Sequence, residues 1–351
     1  MTLQNLASAL APPQTDAELV SVYVPGGTFG GARPDAEVFR MLYRESAGQR
    51  IIVRGESGSG KTSLILRVIG DVGRLEESAC EPFRITVGDV DMIASVTAFL
   101  QSILGTIASQ EGRFANIDAE ILAEAAAVEQ STTKRQVTHR AGLNSPVSYQ
   151  AELKEPVETF KTATTPTQLR EHLNDVLARI VAAGFRPLVV IDDTDRFARL
   201  DASGKPQVDS IHNLLTNAVH VLCEAEPPID VIVAVHPRYA DVEAYDETRV
   251  RFGFAVYETP RLPVEDGRKP PPIAAILKRR LQRRGIESDV ADIVADEALV
   301  ALEAVYVERH GNMREVLRVA QAACLKADAA GAATLAAEHV FSAQKENPAA
   351  M

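Results

Sequence analysis

Tryptophan is absent from these 351 residues, aromatic residues make up only 5 % of them, and there are three cysteines. Cys80, Cys223 and Cys324 are odd in number and lack C-x-x-C spacing, so neither a disulfide framework nor a cysteine-ligated zinc site is indicated. A reduced, cytoplasmic setting is the expectation. Positive charge is also in short supply: 37 Lys and Arg face 48 Asp and Glu, a formal net charge of −11. That balance argues against a protein that coats nucleic acid non-specifically, which needs a clustered positive surface, but it leaves room for a local basic patch. No apolar run approaches the length of a membrane span, and the N-terminal stretch has neither the basic start nor the apolar middle of a secretory signal.

The chain does have ordinary globular substance, with 46 % apolar and 24 % charged residues. Its length favours one large domain with a smaller satellite. Residues 1–31, rich in Ala, Pro, Gly and small polar side chains, read as a tail and irregular lead-in. Residues 32–262 carry the main pattern. A helix over 34–42 leads into the apolar strand 51–53, a glycine turn over 55–60, and a helix over 61–69. A strand is expected at 83–87 and a helix at 92–107. Periodicity then fades, and residues 111–164 read as a polar insertion with an Ala-rich helical patch near 121–128. A helix restarts at Thr165, which can cap, with Pro166 at the first helical position and Gln168 completing a capping box. Residues 188–191 and 231–235 are continuous apolar runs of the kind buried on both faces of a parallel sheet, with a helix over 211–223 between them. A fifth strand falls at 254–257. Beyond Pro270, Pro271 and Pro272, helices over 273–284, 297–310, 313–326 and 335–344 predict a small helical domain spanning 270–351.

Gly55-Glu-Ser-Gly-Ser-Gly-Lys-Thr62 fills the pattern G-x-x-x-x-G-K-[ST]. The glycines let the backbone wrap tightly with its amides pointing at phosphate oxygens, and the anion rests on a helix N-terminus. Gly55, Glu56, Ser57, Gly58, Ser59, Gly60, Lys61, Thr62 and Ser63 are therefore the candidate ATP-binding residues. Lys61 would reach the β- and γ-phosphates, and the Thr62 hydroxyl would ligate Mg²⁺. The run 188–191 ends in Asp192 and Asp193 at the C-terminal end of its strand, where open α/β sheets bind ligands. Asp192 is the candidate for holding Mg²⁺ or its water, Asp193 for orienting the attacking water, and Asp195 for supporting either.

The loop, the acidic strand end, the run 231–235 followed by His236, and Gly311-Asn-Met-Arg314 opening a late helix together resemble AAA+ and STAND ATPases, nearest the origin-recognition and transposition-regulator side. The resemblance covers residues 29–344. It implies an α/β P-loop fold with a parallel five-stranded sheet in the order 5-1-4-3-2 and a C-terminal helical lid. It further implies that Arg314 is a lid arginine approaching the γ-phosphate, and that His236 occupies the first-sensor position, where the family more often has Asn, Thr, Ser or Asp. His236 reads equally as a turn histidine before Pro237. Arg249, Arg251 and Arg238 are candidates for a finger acting across a subunit interface, and also plain solvent-facing arginines. Phe29 and Gly30 fall where the family contacts adenine.

Asp193 stands where strong AAA+ hydrolases carry glutamate, which implies slow ATP turnover. The stretch after Arg314 is shorter than the roughly 50 residues of a small domain, too short for the winged helix that initiators append. The expectation is a nucleotide-dependent switch or assembly subunit that homo-oligomerises on ATP binding and acts on a separate protein, as in defence or regulatory systems, with the insertion as partner surface. The alternative is an ATP-dependent DNA-binding regulator using Lys278, Arg279, Arg280, Arg283 and Arg284, residues that a solvated helix face also explains.

Overall fold

The alternation of side chains along three strands sets the architecture. In the computed structural model, which describes residues 2–13, 15–25, 28, 33–44, 46–72, 80–86, 90–108, 165–198, 207–264, 271–287 and 289–347, β1 (Arg50–Arg54), β3 (Arg186–Asp192) and β4 (Asp230–Val235) lie side by side in the middle of a parallel sheet. Val231, Val233 and Val235 of β4 face one apolar cluster with Ile52, Val189 and Ile191, while Ile232 and Ala234 face the other with Ile51, Val53, Leu188 and Val190. A strand apolar on both faces requires a helical layer on each side, because leaving either face wet forfeits about 1.5–3 kcal/mol per large side chain.

Those layers are supplied by amphipathic helices. On one side lie α5 (Val96–Ala108), α6 (Pro166–Ala182), and α7 (Val208–Asn213), which continues through a π-helical stretch (Leu214–Val219) into α8 (His220–Cys223). On the other lie α3 (Pro34–Arg44) and α4 (Lys61–Val72). The edges are β2 (Cys80–Thr86), paired with β3, and β5 (Ala255–Glu258), paired with β1, so the five strands run in the order β2-β3-β4-β1-β5. Read from the other edge, this is the 5-1-4-3-2 order that the resemblance implies. The Thr165 capping box is formed as expected, with the Gln168 N–H donating to the Thr165 hydroxyl and the Thr165 N–H donating to the Gln168 side chain. The helix α9 (Glu243–Phe252) precedes β5.

A second core lies in the C-terminal helices α10 (Ile273–Arg283), α11 (Asp296–Glu308), α12 (Met313–Ala329) and α13 (Ala337–Glu346). Its membership corrects the reading of residues 1–31 as a tail. Residues Leu3–Leu10 form α1, and Leu3, Leu6, Ala7, Ala9 and Leu10 are buried in this C-terminal core, with α1 packed on α12 and α10. The i, i+3, i+4, i+7 spacing of Leu3, Leu6, Ala7 and Leu10 is that of one helix face, hidden in sequence by the surrounding Ala and Pro. A second short helix, α2 (Asp16–Ser21), packs on α4. Expected residues Phe29 and Gly30, the 111–164 insertion and Val87 lie outside the described residues. Among the described residues, no helix is long and apolar enough to cross a membrane.

Candidate functional site

The loop between β1 and α4 is anchored at its start by the Gly55 N–H, which donates to the Val235 carbonyl at 3.1 Å, tying it to the end of β4. Lys61, the first residue of α4, is only 7 % exposed. Its ammonium donates to the carbonyls of Gly55 (2.7 Å) and Glu56 (3.0 Å) and to the carboxylate of Asp195 (2.9 Å). The Ser57 hydroxyl donates to the same carboxylate at 3.0 Å. Asp195 is brought there by the helical turn Thr194–Ala198, which is held by the Thr194 hydroxyl on the Ala234 carbonyl and the Tyr239 hydroxyl on the Thr194 carbonyl.

At the end of β3 the buried Asp192 accepts from the Thr62 hydroxyl at 3.2 Å and from the Asp193 N–H at 2.9 Å. Asp193 is exposed and has a φ of 58°, a conformation uncommon outside glycine that turns its side chain off the strand's alternation. Thr62 and Asp192 are hard oxygen donors of the kind Mg²⁺ takes, and two such ligands suffice where nucleotide and water supply the rest. Ser63 sits in the first turn of α4 beside them.

His236 follows β4 and is 8 % exposed. Its Nδ1 accepts from the Arg238 N–H at 3.2 Å, which places the proton of the neutral ring on Nε2, 2.8 Å from the Glu56 carboxylate. Burial pulls the imidazole below its ordinary range, opposed by Glu56 and Asp195. The glutamate within the loop thus has a partner just beyond the end of the neighbouring strand, a relation no sequence spacing signals.

The C-terminal helical unit touches the loop directly. Asn312 caps α12 by accepting from the Glu315 N–H at 3.2 Å, and its Oδ1 lies so near Gly58 (φ +73°) that a Cβ there would meet it at 2.1 Å and the Arg314 Cβ at 3.1 Å. Arg314, exposed in the first turn of α12, is therefore next to the loop. On the loop's other flank, the Thr259 hydroxyl after β5 donates to the Ser59 hydroxyl at 2.9 Å. The sequence offered no signal for Thr259, because nothing distinguishes it from any other threonine near a strand end.

The arginines expected elsewhere divide. Arg249 pairs with Asp246 at 3.1 Å, and Arg251 pairs with Glu224 at 2.7 Å while lying 4.9 Å from the centre of the Phe252 ring. Arg238 is exposed beside His236. The five-residue basic patch is not a free face. Arg280 is buried and donates to the Ala11 carbonyl at 3.1 Å, Arg284 donates to the Ser8 carbonyl at 3.4 Å, and Arg283 pairs with Glu18. Carbonyls at the C-terminal end of α1 attract cations, and these guanidinium groups satisfy them. Only Lys278 and Arg279 of α10 face outward as expected, together with the exposed end of Arg284.

No family model matches the chain, and no curated protein matches it. Solved structures do. The origin recognition complex of Drosophila bound to DNA aligns with a TM-score of 0.50 and 14 % identity over 99 % of this chain and 66 % of that one. Cdc6p from Pyrobaculum aerophilum aligns with a TM-score of 0.52 and 15 % identity over 97 % of this chain and 70 % of that one. At such identities the likeness establishes the fold alone, and it agrees with the resemblance carried by the motifs. The chain spans about two thirds of the length of either structure.

Proposed function

We propose that this chain binds and slowly hydrolyses ATP and acts as a nucleotide-dependent switch or assembly subunit for a separate partner protein. The observation that carries the reading is the convergence of Lys61, Thr62 and Asp192 at one end of the sheet, with Thr62 and Asp192 within 3.2 Å of each other. In this reading the loop amides and Lys61 bind the phosphates, and Thr62 and Asp192 hold Mg²⁺. The ion, when bound, neutralises charge developing on the transferred phosphoryl group. Asp193, exposed at the strand end, orients the attacking water, and Arg314 approaches the γ-phosphate from the helical unit acting as a lid. Closure follows if the ATP-bound state is favoured by contacts the open state lacks.

The DNA-regulator reading has less support. Three of its five basic residues are engaged by α1 and Glu18. That the Drosophila complex was solved on DNA is a property of that assembly.

The reading is tested by titrating the full chain with a fluorescent ATP analogue and Mg²⁺, then following phosphate release. Lys61→Ala should abolish binding or turnover, and Asp193→Asn should bind normally but accumulate the ATP state. Normal hydrolysis by Asp193→Asn removes that residue from the water-orienting role. Binding that survives Lys61→Ala undiminished removes the loop from the site.

A further inference from the structure

Two contacts grip the phosphate loop from the C-terminal side, and both belong to one closed circuit. The first is the hydrogen bond from Thr259 to Ser59 at 2.9 Å. Thr259 is 6 % exposed, its own N–H donates to the Arg54 carbonyl at 2.8 Å, and its hydroxyl lies where a Cβ on Gly55 would come within 2.0 Å. The glycine at the loop's first position thus makes room for this hydroxyl as well as for a tight turn. Three residues further on, the chain has crossed into the other core. Leu262 is buried among the C-terminal helices, and its N–H donates to the Tyr306 hydroxyl at 3.1 Å. Tyr306 in turn packs against Gly311, where a Cβ would stand 3.3 Å from the same hydroxyl, and Gly311 precedes Asn312, whose side chain returns to the loop at Gly58.

We propose that Thr259 is a positioning residue of the phosphate loop. Its hydroxyl fixes the rotamer and height of Ser59, and the short span from Thr259 to Leu262 ties that geometry to the placement of the C-terminal helical unit. Any adjustment of Ser59 as the loop closes on phosphate must either break this hydrogen bond or carry residues 259–262 with it. Packed elements shift between discrete arrangements rather than stretch, so the displacement is passed to Tyr306 and the start of α12. The proposal rests on the nucleotide-binding reading above and adds the residue that links the loop to the helical unit.

The test compares Thr259→Val, which keeps the shape and removes the hydroxyl, with Thr259→Ser, which restores it. Affinity for a fluorescent ATP analogue with Mg²⁺ is measured alongside nucleotide-dependent hydrogen exchange of residues 273–283 and 313–329. Thr259→Val should bind about three- to tenfold more weakly, the equivalent of one net hydrogen bond, and should lose the nucleotide-dependent change in exchange of the C-terminal helices. Thr259→Ser should recover both. A merely structural role would lower the melting temperature without removing that nucleotide-dependent change. Wild-type affinity and wild-type exchange response in Thr259→Val overturn the proposal alone, as does a Thr259→Ser protein as defective as the valine variant. A wild-type chain that binds no nucleotide overturns it together with the reading on which it rests.

Discussion

The ammonium of Lys61 lies 2.9 Å from the carboxylate of Asp195, and that carboxylate also receives the Ser57 hydroxyl. Asp195 therefore engages the same ammonium that the proposed phosphates would engage. The two are rivals for the same positive charge.

Asp195→Ala should lower the stability of the nucleotide-free protein by about 1–2 kcal/mol. That is less than the ~3–5 kcal/mol of a fully buried broken pair, because the Asp195 side chain is 26 % exposed. With ATP and Mg²⁺ present the triphosphate replaces the missing charge. The nucleotide-induced rise in melting temperature should then be larger in the variant than in the wild type. A smaller rise would mean that Asp195 assists phosphate binding rather than competing with it.

Gly58→Ala should destabilise through two separable effects. A φ of +73° costs an alanine about 1–2 kcal/mol, and the new methyl would collide with the Asn312 side chain. Asn312→Gly removes the second effect while retaining part of the capping preference of α12. Urea unfolding of both single variants and the double variant should show the Gly58→Ala penalty shrinking in the Asn312→Gly background. Additive penalties would show that loop and helix do not meet in solution.

Leu6→Ala tests the placement of α1. Leu6 has no exposed surface and lies in the C-terminal core, so its truncation should cost about 2–5 kcal/mol in the urea unfolding of that core. A cost under about 0.5 kcal/mol, the range of a surface substitution, would return residues 3–10 to the status of a tail.

The contrast between Leu6 and Lys61 marks the limit of reading the sequence. The glycine loop between β1 and α4 was legible because its tight backbone falls within eight consecutive residues, with positive φ at Gly58 and Gly60, and because a strand and a helix flank it. The strands 188–191 and 231–235 were legible because burial on both faces leaves an unbroken apolar run. The capping box at Thr165 was legible because its partners are three residues apart. By contrast, Leu6 meets its partners across more than two hundred residues, and the amphipathic spacing of so short a helix does not say which face of which domain it covers.

The sequence by itself determined the local elements: where the chain must turn on glycine, which segments must be buried, and which strand end carries carboxylates. Only the tertiary structure decided the pairings among distant residues. It set Asp195 on Lys61, Glu56 on His236, Thr259 on Ser59 and Asn312 against Gly58, and it turned Arg280, Arg283 and Arg284 onto α1 and Glu18. The physical reason is range. Backbone propensity and periodicity act over a few residues, whereas a hydrogen bond or ion pair between side chains exists only once packing has fixed both partners in space, and residue type alone does not choose among the many partners available.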